Sequence, residues 1–131
     1  MHLTDLKQFE RFRQDRFVKV LRHKDSRQDL WQLRSRGKFG NYQNHQSWDV
    51  FGQARYIISF IAEGNRRARF VGAWEVRFKR KQRQQKGFRY RTTELPGFES
   101  LEGRLIVNWG EGPKSWAQWL HSKGQSCPVV T

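Results

Sequence analysis

Leu3, Leu6, Phe9 and Phe12 recur at three-residue spacing among charged side chains, with Phe17 beyond them. That pattern predicts a short amphipathic helix or turn laid over a core. Phe17 to Leu21 is β-branched and aromatic around a single lysine and reads as a strand ending in Arg22-His23-Lys24. Next, Asp25 or Ser26 is placed to cap a helix from Arg27, with Asp29 near its positive end, Leu30, Trp31 and Leu33 on its apolar side and Gly37 as its stop. Residues 39–48 mix rings with amides in no clear period and are expected to form an ordered loop.

The most apolar stretch, Tyr56 to Ala62, predicts a buried strand that gives way to a turn at Glu63-Gly64-Asn65. Arg69 to Phe78 alternates, with Phe70, Gly72, Trp74, Val76 and Phe78 on one apolar side, so the two strands should form a hairpin. Leu105 to Trp109 predicts a further strand, Gly110 to Pro113 a turn, Ser115 to Leu120 a short helix, and Pro128 to Thr131 an edge strand or the start of a linker. Several short strands with a few short flanking helices indicate an α+β fold built on a small, strongly bent mixed sheet or β-barrel.

Composition sharpens this picture. A chain of 131 residues is expected to form one domain over 1–131, and its six Trp and ten Phe suggest a core of large rings. Lys and Arg number 26 against 12 acids, a net charge of +14 at pH 7. A field of that sign attracts polyanions, nucleic acid first among them; an anionic membrane or a ribosomal surface would respond to the same charge. A single cysteine, Cys127, leaves no intramolecular disulfide and no multi-cysteine zinc site, which fits a reducing, cytoplasmic setting. No apolar run approaches membrane-spanning length, so no membrane partner is expected.

The candidate phosphate contacts are Arg22 and Lys24, then Arg66, Arg67 and Arg69, then Lys79, Lys81, Arg89 and Arg91 within a run from Lys79 to Arg91 that contains no acid. Rings interleave with these charges. Tyr42, Gln43, Trp48, Phe51, Trp74 and Trp109 are the leading candidates for stacking or for a base pocket, with Phe88, Tyr90, Trp116 and Trp119 as further rings that could serve, and with Trp48 and Phe51 favoured because Gln43, Asn44, Gln46 and Asp49 surround them in sequence. Catalytic chemistry has less to rest on: no P-loop, nucleophile elbow or zinc motif occurs, and no cofactor is implied. An alternative reading is a small metal-dependent nuclease using Asp49, Glu63 and Glu75. Another is an RNA-binding or ribosome-associated module.

Four stretches carry a resemblance: Val20-Leu21-Arg22-His23-Lys24-Asp25; Tyr42-Gln43 with Gln46; Ile58 to Ala62 with Ala68 to Gly72; and Arg104 to Gly110 with Ser115-Trp116. Together they resemble the N-terminal region of bacterial GIY-YIG nuclease family proteins. In such proteins a targeting domain precedes a catalytic domain bearing Gly-Ile-Tyr and Tyr-Ile-Gly motifs, neither of which occurs in this sequence. The resemblance therefore implies the DNA-targeting part alone, with Thr131 at its boundary and any nuclease activity in a separate C-terminal domain. The bent sheet is also similar to PUA-like modules, including the EVE and SRA groups, some of which take a modified base into an aromatic pocket. By that analogy the pocket would fall on Trp48, Phe51 or Trp74 and would serve a restriction-type nuclease.

Overall fold

The computed structural model describes residues 1–24, 28–81, 87–110, 116–121 and 128–131, with only the backbone described for Arg80 and Lys81. Two 3-10 helices open the chain, Leu3–Asp5 and Lys7–Phe12. A 3-10 helix turns once every three residues, so Phe9 and Phe12 fall on one face of the second helix, while Leu6, extended between the two helices, brings Leu3 to the same side. Of these, Leu3, Phe9 and Phe12 are fully buried and Leu6 packs beside them.

β1 (Val18–His23) pairs in parallel with β3 (Tyr56–Gly64), and β3 makes the expected antiparallel hairpin with β4 (Arg67–Lys81). Asn65 and Arg66 form the two-residue turn with φ of 49° and 63°, the doubly left-handed geometry whose twist matches a hairpin. β5 (Phe88–Glu94) pairs with the C-terminal half of β4 and carries β2 (His45–Gln46) at its outer edge. β6 (Ile106–Asn108) pairs with the N-terminal end of β4, β7 (Ala117–Trp119) with β1, and β8 (Val129–Val130) with β6. The main path runs β2-β5-β4-β3-β1-β7. The result is α+β: a strongly curled, mixed half-barrel with a few short helices, which fits the small PUA-like class.

Both faces of the sheet are covered, which is why β3 reads as an almost unbroken apolar run. Ile58 and Phe60 point into the curl, where Phe9, Phe12, Phe70, Phe98 and Trp109 fill one core. Ile57 and Ile61 point outward and are roofed by Leu30, Phe39, Phe51 and Trp74 in a second core. Edge-to-face contacts such as Phe9 on Phe70 (5.4 Å between centroids) and Phe60 on Trp109 (5.9 Å) add about 1 kcal/mol each to simple burial.

Four expectations need correction. The helix after β1, α1 (Leu30–Ser35), begins at Asp29, whose Oδ1 accepts from the Gln32 N–H at 3.0 Å; Asp25 and Ser26 lie outside the described residues. It does stop at Gly37 (φ 71°), with the Lys38 N–H reaching back to the Leu33 carbonyl at 2.8 Å. Residues 39–48 are not a loop throughout, because Phe39–Gln43 is a one-turn helix, α2, followed by β2. Residues 117–119 are a strand and not part of a helix; Gln118 and Leu120 alternate inward, and a polar inward residue hides that period. Finally, the even positions of β4 do not share a face. A bulge at Val71 against β3 and another at Arg77 against β5 reset the alternation twice. Phe70 therefore enters the inner core, Trp74 the outer one, and Phe78 faces solvent, 56 % exposed.

Candidate nucleic-acid interface

The candidate cations divide between the two ends of β4. Register fixes the first group: His23 of β1 lies beside Ile61 of β3, and Ile61 beside Arg69 of β4, in one row across the sheet. Arg22, Lys24, Arg66, Arg67 and Arg69 thus gather at a single sheet end. The second group, Lys79, Lys81, Arg89 and Arg91, lies at the far end, where β4 and β5 continue past the start of β3.

Not all of these side chains are available to a ligand. Arg69 is held by a two-pronged ion pair to Glu63 and donates to the Gly103 carbonyl, and Lys79 donates to Asp49 at 2.8 Å. Burial lowers the pKa of Arg22, whose guanidinium sits 5.4 Å from the centre of the Trp109 ring with a buried Nε that has no hydrogen-bond partner among the described residues. The side chain of Lys81 and residues 82–86 lie outside the described set. Lys24, Arg66, Arg67, Arg89 and Arg91 remain as exposed cations with no ion-pair partner among the described residues.

Beside the first cation group a series of rings leads inward. Trp48, 49 % exposed, meets Trp116 edge-on at 6.5 Å; Trp116 packs against the His23 imidazole at 5.5 Å; and His23 touches Tyr42 at 6.0 Å and Phe39 at 5.3 Å. His23 ends β1 on the outer face, and the Arg22 N–H donates to the Trp116 carbonyl at 2.7 Å, which ties the start of β7 to β1 at that point.

Under the rings is a buried polar cluster. His23 Nε2 lies 2.9 Å from Gln43 Oε1, and the Ser59 hydroxyl donates to the same oxygen. Gln43 is fully buried, and its amide nitrogen has no hydrogen-bond partner among the described residues. Turning the amide over would leave its oxygen bare instead. A buried amide group left in that state costs about 1–3 kcal/mol. Burial pushes the His23 pKa down to about 4, against the smaller opposing effect of the Gln43 hydrogen bond, so the imidazole is neutral at pH 7.

Of the six pocket candidates, the structure brings together Tyr42, Gln43 and Trp48. Phe51 stacks on Tyr90 at 4.0 Å in the outer core. Trp74 is buried against Phe39 beneath the Arg34 guanidinium, and Trp109 is buried in the inner core. None of these three offers a face to a ligand. Trp116 figured only among the further rings, and His23 was not a pocket candidate. His23 reads as one more basic residue at a strand end, and only its register beside Ile61 shows that it points under α2.

The three carboxylates of the nuclease alternative do not converge. Asp49 accepts from Lys79 and Tyr90, Glu63 pairs with Arg69, and Glu75 pairs with Arg77 at 2.8 Å. Among the described residues no group of three or more His, Cys, Asp or Glu is placed to hold a metal ion. Nor does any described helix have the length and apolarity to cross a membrane. In comparisons with family models, curated proteins and solved structures, nothing matches the chain.

Proposed function

We propose that the chain is a DNA-binding targeting domain that takes a base, modified in its native target, into the ring-lined site at His23, Tyr42, Gln43, Trp48 and Trp116. The observation that carries this reading is the placement of unpaired Lys24, Arg66 and Arg67 at the sheet end that also bears His23. Phosphates are held by such cations, and an extruded base needs ring faces and a polar edge nearby. The Gln43 amide, buried beneath the rings with no partner for its nitrogen among the described residues, supports the same reading, because a base that displaces the covering rings can supply one. Fusion to a GIY-YIG nuclease, as the sequence resemblance implies, would give the domain a target-choosing role for cleavage carried out elsewhere.

Titration of labelled duplexes, with and without modified bases, at two salt concentrations tests this. Binding should weaken steeply with salt and tighten on a subset of modified duplexes. Absence of duplex binding, affinity indifferent to salt, or a consistent preference for structured RNA over DNA overturns it.

A further inference from the structure

At the opposite end of the sheet, β3 pairs with β4 only as far as Tyr56 beside Glu75, whereas β5 follows β4 on to Phe88 beside Lys81. The arm so formed carries the most exposed aromatic ring among the described residues, Phe78 at 56 %. Its exposure has a definite cause. The bulge at Arg77 places Phe78 opposite Arg91, on the side of the arm away from buried Tyr90.

Arg89 and Arg91 flank Tyr90 on β5, so both point to Phe78's side, about 6.8 Å apart along the strand. Neither has an ion-pair partner among the described residues, although Lys79 on the other side of the arm is taken by Asp49. Asn41 and Asn44 line the same open groove, of about 430 Å³, with Phe78, Arg89, Arg91 and Thr92. Asn44 Oδ1 accepts from the Thr92 hydroxyl at 3.0 Å, which leaves its NH2 group as a donor.

A bare ring beside two unpaired guanidinium groups and two amides is the combination a single-stranded nucleic acid uses: ring for base, cation for phosphate, amide for base edge. We infer that this groove seats an unstacked nucleotide of a single strand, its base against Phe78 and its flanking phosphates on Arg89 and Arg91. The inference rests on the nucleic-acid reading above but concerns a different set of side chains from the His23 and Gln43 cluster, which it adjoins through α2, where Asn41 and Asn44 flank Tyr42 and Gln43. A duplex opened to extrude one base exposes such a strand.

Fluorescence anisotropy with a short labelled oligothymidylate, its abasic counterpart and an oligouridylate provides the test. Phe78→Ala should weaken oligothymidylate binding on the order of ten-fold or more. The abasic strand should lose a similar factor with the unaltered protein and lose no more with Phe78→Ala, while Phe78→Trp retains binding. Arg89→Gln with Arg91→Gln should reduce the slope of log affinity against log salt by roughly 1.4 in magnitude, 0.7 for each phosphate contact. Tighter binding of the deoxy strand names DNA as the source of the nucleotide, and tighter binding of the ribo strand names RNA. Phe78→Ala binding as well as the unaltered protein, with an unchanged circular dichroism spectrum, overturns the inference, as does duplex binding with no single-strand binding. If neither duplex nor single strand binds, it is the proposed function that fails, and the groove with it.

Discussion

Gln43 Oε1 lies 2.9 Å from His23 Nε2 where neither side chain reaches solvent. Because that oxygen also accepts from Ser59, it fixes the imidazole proton on Nε2 and joins α2, β1 and β3 through one atom. A polar link of this kind is favourable only while each group keeps its partner.

Stability should fall on acidification because of His23. Its folded pKa of about 4 lies below the unfolded 6.5, so between these values the unfolded chain binds the extra proton. The contribution is complete above pH 6.5 and is lost as the pH falls toward 4, by about 3 kcal/mol in all. Urea midpoints at pH 7 and pH 4.5 should differ accordingly, and His23→Gln should flatten the difference. An equal pH dependence in that variant removes the assignment.

Gln43→Met strips His23 and Ser59 of a shared acceptor while nearly keeping the volume. A loss of about 2–3 kcal/mol is expected from the buried groups left unmatched. Thermal or urea unfolding reads it directly, and a variant as stable as the parent contradicts the hydrogen-bonding scheme.

Arg66 occupies a left-handed backbone position at φ 63°, which costs a residue with a side chain about 1 kcal/mol. Arg66→Gly should therefore raise stability by that order and, at the same time, weaken duplex binding and reduce the salt slope by roughly 0.9. Opposite signs in the two measurements are the expected result; a variant that is more stable and binds equally well takes Arg66 out of the interface.

Gly87 turns the chain into β5 at φ 140°, and a Cβ there would come within 2.7 Å of the Gln46 carbonyl oxygen. Gly87→Ala should destabilise the protein by more than about 1 kcal/mol, through strain and through separation of β2 from β5. Hydrogen exchange at the strap from His45 to Gln46 should rise more than in β3.

The inner core and the hairpin were legible because their signals are apolar and local: the three-residue spacing from Leu3 to Phe12, the run from Ile57 to Ile61, the turn at Asn65. What escaped was polar and inward-facing. Gln43 is as buried as Phe39 four residues before it and Gln118 as inward as Leu120, yet a hydrophobic pattern counts only half of each pair. The bulges at Val71 and Arg77 leave no mark in composition, so the face of Phe78 could not be read from its even position. The same holds for the candidate site: charge marked Lys24, Arg66 and Arg67, whereas the placement of His23 beneath α2 and against Trp116 depends on register between strands distant in sequence.

β4 also acts as a ruler. Its 15 residues measure roughly 50 Å if straight, and curl and bulges shorten this, so the Arg67 end and the Lys81 end are held at a separation that no side-chain rearrangement changes. One polyanion lying along both ends would have to extend over at most about 15 base-pair steps of duplex, at 3.4 Å each. The span between the two groups of cations is thus written into a single strand of the fold.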